Sequence, residues 1–181
     1  IYNRLNTLNK YFDIYNNYDG IINLKTISDN AGIKPIEVEQ EIIDLLKLCK
    51  EAYYISDGYI DVTMGPVLKI WREYRISNNQ QEYLGIPEEE QLIEANKKVN
   101  IENLIIDEDN KTIFLNESGM SLDVGSIAKG FAAQLAVDEA KSRGMTNGLV
   151  SIGGNVIAFG ENISNENEKW TVGVQDPDLS I

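Results

Sequence analysis

Residues 121–131 read SLDVGSIAKGF, and an alanine-rich run follows them as far as Arg143. The apolar beginning predicts a short strand over Met120–Asp123, and Val124-Gly125-Ser126 predicts a turn. The remainder predicts a helix over 126–143, with Gly144 as the residue that ends it. A helix that starts on a tight turn presents unpaired backbone N–H groups, which favour an anion.

Several residues of this stretch are candidates for binding. Ser126 can cap the helix or lend its carbonyl to a ligand, and Lys129 leans back toward the helix N-terminus. Asp123 would repel a phosphate there unless it binds sugar hydroxyls or a metal ion intervenes. Together these residue types indicate a phosphorylated ligand beside a divalent cation. A capped helix with an exposed lysine has the same pattern, so both interpretations stay open at this point.

Composition limits the classes of function. The 181 residues include 16 Lys and Arg, 29 Asp and Glu and no His, for a net charge of −13. Such a charge argues against a nucleic-acid surface, which needs clustered Lys and Arg. The absence of His excludes Ser-His-Asp and Cys-His catalysis within this chain and His-based zinc sites. A single Cys excludes an internal disulfide framework.

Two further segments are candidates for ligand contact. Residues 57–66, DGYIDVTMGP, predict a strand over Tyr59–Thr63 and then a helix that begins at Gly65-Pro66. Asp61 and Thr63 would share one strand face and could hydrogen-bond a flat polar ring edge, with Tyr59 beside them. A strand with polar edge residues before a turn is the alternative. Residues 151–155, SIGGN, allow close ligand contact or make a hairpin turn between strands 148–152 and 156–159.

The remaining chain predicts helices and short strands in mixed order. We expect helices over Leu5–Tyr15 and from Pro87 to about Val99, a hairpin of Leu104–Ile106 with Thr112–Leu115, and a last strand over Trp170–Val174. A further helix should begin at Pro35 and bury one apolar stripe, composed of Ile42, Leu45, Leu46, Cys49 and Tyr53. On that stripe Cys49 is a small buried hydrophobe. This order predicts an α+β fold in a single domain, residues 1–181.

Four segments in this order resemble the ApbE family of flavin transferases, and the resemblance covers nearly the whole chain. They are GYIDVTMGPV (58–67), LDVGSIAKGFA (122–132), SIGGN (151–155) and WTVGVQDP (170–177). The resemblance implies an ApbE-like, T-fold-like arrangement of helices and antiparallel strands. It also implies a reaction in which FAD is split at its pyrophosphate with Mg²⁺, FMN is attached to a Thr or Ser hydroxyl of an acceptor protein, and AMP is released.

The resemblance implies partners and leaves alternative activities open. Typical acceptors are subunits of redox-driven ion pumps. Some family members hydrolyse FAD to FMN and AMP instead, and a non-catalytic FAD-binding carrier is a third possibility. A plain α+β domain whose motifs are only turns is the fourth. The family is usually extracytoplasmic, often as a lipoprotein held at the membrane by an N-terminal lipid anchor. No stretch approaches the 18 apolar residues of a membrane span.

Site residues follow from the matched positions. The positions that contact FAD in the family are here Tyr59, Ile60, Asp61, Asp123 and Lys129, and Ser126 matches the position whose backbone carbonyl binds the metal. Ser28 stands where the family usually has Asn, Ile60 replaces a usual Phe, and Val62 replaces a frequent Pro. The family continues well past Pro177 with a His-containing segment and then an Asp and a Thr that complete the metal site. We therefore expect a partial domain, with N- and C-terminal parts missing, that carries a binding half-site.

Overall fold

The structure is a computed structural model, and it describes residues 1–79, 85–164 and 169–174. Its helices are α1 (Tyr2–Tyr11), α2 (Leu24–Asp29), α3 (Gln40–Ile55), α4 (Gly65–Asn79), α5 (Glu89–Asn96) and α6 (Ala128–Ser142). Its strands are β1 (Ile36–Glu37), β2 (Leu104–Asp107), β3 (Thr112–Leu115), β4 (Gly148–Ile152) and β5 (Asn155–Phe159). All strand pairs are antiparallel, which confirms the predicted α+β class.

The chain divides into two compact units, which are described one at a time. The larger unit is Asn6–Ala128, and the smaller unit is Ile1–Leu5 together with Lys129–Ile181. Among the described residues, no helix combines the length and the apolar character that crossing a bilayer requires.

A three-stranded sheet and helix α3 form the core of the larger unit. The strand order is β1-β3-β2, with Ile113 of β3 opposite Ile36 on one side and Ile106 on the other. The buried face of α3 consists of Ile42, Ile43, Leu45, Leu46 and Cys49. This confirms the predicted stripe from Ile42 to Cys49 and the place of Cys49 in the core, whereas Tyr53 is only half-buried. Burial raises the pKa of the Cys49 thiol to about 12.

Two helix boundaries differ from the sequence-based expectation. Pro35 does not open a helix, because the residues after it form β1 on the edge of the sheet, and α3 begins only at Gln40. The extended backbone of Glu39 caps that helix. At the N-terminus, α1 ends at Tyr11, so Tyr15 lies outside it.

Three predicted strands are absent from the described residues. The first was predicted over Tyr59–Thr63, where Asp61 instead caps a short 3₁₀ turn over Val62–Met64. Residues 120–123 are not a strand either, because their backbone groups bond to partners outside any sheet. Residues 169–174 carry no strand, and the indole Nε1 of Trp170 donates to the carbonyl of Gly160 at 2.9 Å. The rest of that motif, Gln175-Asp176-Pro177, lies outside the described residues.

The smaller unit contains most of α6 and the hairpin of β4 and β5. Val137, Ala140 and Phe159 form its buried cluster, with Val150 and Ile157 packed against it. The buried face of α6 is mainly alanine, and its members are Ala132, Ala133, Ala136, Val137 and Ala140. The larger apolar residues of the helix predicted over 126–143 should face the interior, but Ile127, Phe131 and Leu135 are only half-buried. Small side chains let a helix pack closely, so here the alanines take the interior.

Candidate functional site

Residues 121–123 join three segments of the larger unit. The N–H of Asp123 donates to the carbonyl of Val62 at 2.8 Å. The N–H of Leu122 donates to the Oγ of Ser28 at 3.2 Å, and that hydroxyl donates to the carbonyl of Leu24 at 3.0 Å. The structure thus joins Val62 and Asp123, which belong to two motifs that the sequence presented separately.

Gly65 makes the close approach of these stretches possible. A Cβ atom at this position would lie 2.5 Å from the carbonyl oxygen of Ser121, well inside van der Waals contact. The first turn of α4 is therefore pressed against the backbone of residue 121. Sequence analysis placed a helix start at Gly65 correctly, and the structure adds the reason for a glycine there.

A cavity of about 790 Å³ opens beside this junction, within the larger unit. On one side it is lined by α4 and on the other by the segment before α2, by α2 itself and by residues 119–123. The lining residues are Ile14, Tyr15, Lys25, Ser28, Asp29, Gly65, Pro66, Leu68, Lys69, Trp71, Arg72, Arg75, Gly119, Ser121, Leu122 and Asp123. A cavity of this size, with aromatic and charged walls, is typical of a small-molecule site.

Asp123 is the predicted binding residue that lines the cavity. The residue is half-buried, and its Oδ1 accepts a hydrogen bond from the N–H of Gly125 at 2.9 Å. This hydrogen bond fixes the side chain of Asp123 at the cavity wall. A carboxylate held there can accept hydrogen bonds from ligand hydroxyl groups.

Asp61 and Thr63 are bound to each other. The Oδ1 of Asp61 accepts from the N–H of Thr63 at 2.8 Å and from its hydroxyl at 2.6 Å. Since Thr63 is fully buried, the two side chains do not present a common strand face, and that expectation is wrong. Tyr59 is 93% exposed and Ile60 is 37% exposed, so both lie at the surface. Their predicted contacts with a ligand stay predictions.

Ser126 and Lys129 are both exposed. Ser126 lies in the turn of residues 125–127, before α6 begins. Lys129 belongs to the smaller unit, where its Cδ is 3.0 Å from the place that a Cβ on Gly153 would occupy. The two glycines at the tip of the β4–β5 hairpin, Gly153 and Gly154, have φ of +53° and +89°. The predicted hairpin turn is confirmed, and it lies against the stem of Lys129.

Sequence analysis missed the residues on the far wall of the cavity. Tyr15 is one of them, and Asp13 holds it by accepting its N–H at 2.6 Å and the hydroxyl of Tyr18 at 2.6 Å. Burial raises the pKa of Asp13, but the hydrogen bonds from Tyr18, Tyr15 and Asn16 outweigh burial and bring the pKa below its ordinary value.

The guanidinium carbon of Arg72 lies 4.1 Å from the centre of the Tyr15 ring. This is a close cation–π contact. Arg72 and Arg75 are three residues apart on α4, so they share a helix face. The spacing of these two arginines, in a helix that begins at Gly65-Pro66, was the one sequence signal for this cavity wall. Only the fold shows that Arg72 faces Tyr15.

The described residues do not make a metal site on their own. Within residues 1–79, 85–164 and 169–174, no group of three or more His, Cys, Asp or Glu side chains is placed to hold a metal ion. The carbonyl of Ser126 would supply one oxygen, whereas Mg²⁺ takes an octahedral set of ligands.

Comparison with known proteins identifies the family to which the chain belongs. A sequence model of the ApbE family matches residues 1–181. The curated FAD:protein FMN transferase of Klebsiella pneumoniae (strain 342) is 28% identical over 151 residues, which are 83% of this chain and 43% of that protein. The enzyme of the same name from Haemophilus influenzae is 28% identical over 157 residues, covering 85% of this chain and 44% of its own.

A solved structure gives the same result for the fold. The crystal structure of the ApbE protein from Thermotoga maritima matches with a TM-score of 0.80 and 28% identity, over 98% of this chain and 55% of that one. The chain therefore spans less than half the length of these curated relatives and about half of that structure.

Proposed function

Because the chain belongs to the ApbE family, we propose that it is part of an enzyme that transfers FMN from FAD to a protein. One observation carries this proposal: the family match extends over all 181 residues, and the curated relatives named above are called FAD:protein FMN transferases. The chain spans 43% of the length of the Klebsiella pneumoniae relative. The activity is therefore proposed for the complete protein and not for this chain alone.

The proposed reaction joins FMN to a Thr or Ser hydroxyl of the acceptor. The hydroxyl oxygen forms a bond to the phosphorus of the FMN half, and the bond from that phosphorus to the bridging oxygen of the pyrophosphate breaks. AMP leaves with that oxygen, and the hydroxyl proton passes to a base or to water. The proposed acceptors are subunits of redox-driven ion pumps, a partner class that rests on the family resemblance.

The chain's own contribution to this reaction is binding. We assign the flavin nucleotide to the cavity that Asp123 lines, where the carboxylate can accept hydrogen bonds from ribityl or ribose hydroxyls. Tyr59, Ile60, Asp61 and Lys129 are proposed as further FAD contacts from their positions in the family motifs. The backbone hydrogen bond between Asp123 and Val62 supports a joint action of the two motifs.

A requirement for Mg²⁺ is part of the proposal, but the described residues alone do not fit a complete magnesium site. Bound to a pyrophosphate, the ion would neutralise charge and polarise the phosphoryl oxygens. From this chain we propose Ser126 as a ligand through its carbonyl. An extracytoplasmic location with a lipid anchor is proposed from the resemblance alone.

Mass spectrometry of an acceptor peptide tests the function. The 181-residue chain and the complete product of its gene are each incubated with FAD, Mg²⁺ and a Thr-containing peptide. We expect the peptide to gain one FMN with the complete product, and AMP to appear in equal amount. An Asp123→Ala variant should lose at least tenfold in transfer rate, whereas Asp109→Ala, in an exposed turn, should not.

The alternatives give different products. Free FMN and AMP without a modified peptide would replace the transferase with an FAD pyrophosphatase. FAD that is bound and stays intact would indicate a carrier. No binding of FAD by either protein would reject all three functions.

A further inference from the structure

The cavity wall on α4 is cationic in a strongly acidic chain. Four of the 16 Lys and Arg residues line this one cavity, and they are Lys25, Lys69, Arg72 and Arg75. Two carboxylates, Asp29 and Asp123, lie among them. The cavity therefore carries a local positive charge while the chain as a whole carries −13. Such a local reversal of sign favours an anionic ligand.

Two of the four cations have a carboxylate neighbour. Lys25 forms an ion pair with Asp29, and the Nζ of Lys69 lies 4.0 Å from a carboxylate oxygen of Glu73. Arg72 and Arg75 form no ion pair with any residue that the structure describes. The charge available to a ligand is thus the charge of these two arginines.

Arg72 has an unmet hydrogen-bonding group. Its Nε is buried and has no hydrogen-bond partner among the described residues. A buried N–H donor without an acceptor is rare in folded proteins and unfavourable. The guanidinium carbon lies 4.1 Å from the centre of the Tyr15 ring, and this contact holds the group at the cavity wall.

We propose that Arg72 and Arg75 form a clamp for the phosphate groups of the nucleotide bound in this cavity. The planar guanidinium offers parallel N–H donors that match phosphate oxygens, and two such groups one helical turn apart suit a pyrophosphate. The aromatic walls, Tyr15 and Trp71, suit a nucleotide better than an acidic peptide. The assignment rests on the proposed function in taking FAD as the physiological ligand.

Equilibrium binding to the purified chain tests the clamp. The ligands are FAD, ADP, inorganic pyrophosphate and riboflavin, which has no phosphate, all at one ionic strength. The variants are Arg72→Gln, Arg75→Gln, the double variant and Lys34→Gln, which removes one exposed positive charge outside the cavity. Circular dichroism and thermal melting establish that each variant is folded.

We expect the double variant to bind FAD, ADP and pyrophosphate at least tenfold more weakly and riboflavin unchanged. Lys34→Gln should bind all four ligands like the original chain. Arg72→Lys, which keeps the charge but lacks the planar fork, should recover only part of the loss. The salt dependence of ADP binding should become shallower in the double variant, because fewer charges face the phosphates.

Several results would overturn the clamp. An equal loss for riboflavin would mean that the arginines act through packing. An equal loss in Lys34→Gln would mean that only net charge matters. Unchanged ADP and pyrophosphate binding, with loss of binding to an acidic peptide, would assign the arginines to a protein partner.

If the complete gene product transfers no FMN while arginine-dependent ADP binding persists, the proposed function fails and the clamp stands.

Discussion

At the scale of single residues, two glycines in helical conformation are expected to respond in opposite ways to the same change. Gly65→Ala puts a methyl group 2.5 Å from the Ser121 carbonyl, so we expect a loss of about 1–3 kcal/mol in the free energy of unfolding. Gly130→Ala on α6 meets its nearest neighbour, the Oδ1 of Asn155, at 3.7 Å. There the gain in helix propensity should stabilise by about 0.5–1 kcal/mol. Urea unfolding of both variants measures the difference, and an equal response would contradict the tight contact at Gly65.

The paired glycines of the β4–β5 turn allow a test of how Lys129 is positioned. Both have positive φ, so Gly153→Ala and Gly154→Ala should each cost about 1–2 kcal/mol in stability. Only the first places a methyl group against the Lys129 stem, at 3.0 Å, while the second meets nothing within 4 Å. If Lys129 contacts FAD, only Gly153→Ala should weaken FAD binding beyond its effect on folding. Fluorescence titration of both variants decides this, and equal weakening would remove the positioning role.

Residue-scale predictions from sequence succeed where the answer is local. Cys49 lies on an apolar helical stripe, and a stripe needs no knowledge of its partner to be recognised as core. Asp61 was misassigned, because an Asp before a short apolar run is equally compatible with a strand and with a cap. Arg72 was missed because its role depends on Tyr15, which lies 57 positions away in the chain (72 − 15).

At the scale of secondary-structure elements, α3 shields its thiol from reagents. Cys49 is fully buried, and its pKa is raised to about 12 from an ordinary 9.0. The thiolate at neutral pH is therefore about 1000-fold scarcer than in an exposed cysteine. We expect alkylation of Cys49 to follow the rate of unfolding, while a Ser142→Cys variant adds an exposed thiol that reacts at once. Rapid labelling of Cys49 in the folded protein, read by mass spectrometry, would show that α3 opens locally.

The elements that sequence analysis recovered are those with a strong repeating pattern or a clear turn. The helices corresponding to α3, α4 and α6 and both hairpins have such signals, and the structure contains them with shifted boundaries. In two of the three missing strands, 59–63 and 120–123, the backbone N–H groups bond to side chains, turn carbonyls or a distant carbonyl. Only tertiary structure determines those partners, so a local pattern of apolar residues is not sufficient. β1 was missed for the same reason, since its two residues become a strand only beside β3.

At the scale of the whole molecule, acid should destabilise the chain through specific carboxylates. The pKa of each of Asp13, Asp29, Glu94 and Asp107 is lowered from an ordinary value of 3.8 for Asp or 4.5 for Glu. In Asp13 and Asp29 hydrogen bonds outweigh the opposing effect of burial, and in the other two hydrogen bonds dominate. A lowered folded pKa contributes stability that is present above the ordinary value and is lost as pH falls through the lowered one.

The free energy of unfolding should therefore fall between pH 5 and pH 3. Urea titrations at high salt, which screens the repulsion within a chain of charge −13, measure it. Asp13→Asn should lose about 1 kcal/mol at pH 5 and show a smaller further fall at pH 3, because one titrating group is gone. Equal slopes for the two proteins would mean that Asp13 does not contribute to the pH dependence.

The two-residue strand β1 has a consequence for how the chain is made. Ile36 pairs with Ile113, 77 positions later (113 − 36), whereas β2 and β3 are neighbours in sequence. A ribosome that adds roughly 5–20 residues per second delivers β1 about 4–15 s before its partner exists. During that interval Ile36, which is buried in the finished sheet, has no partner strand. Because β1 has only two residues, it offers few unpaired backbone groups to a wrong strand, and the risk of mispairing is small. The edge strand β1 therefore cannot join the sheet until β3 has been synthesised, although it comes first in the chain.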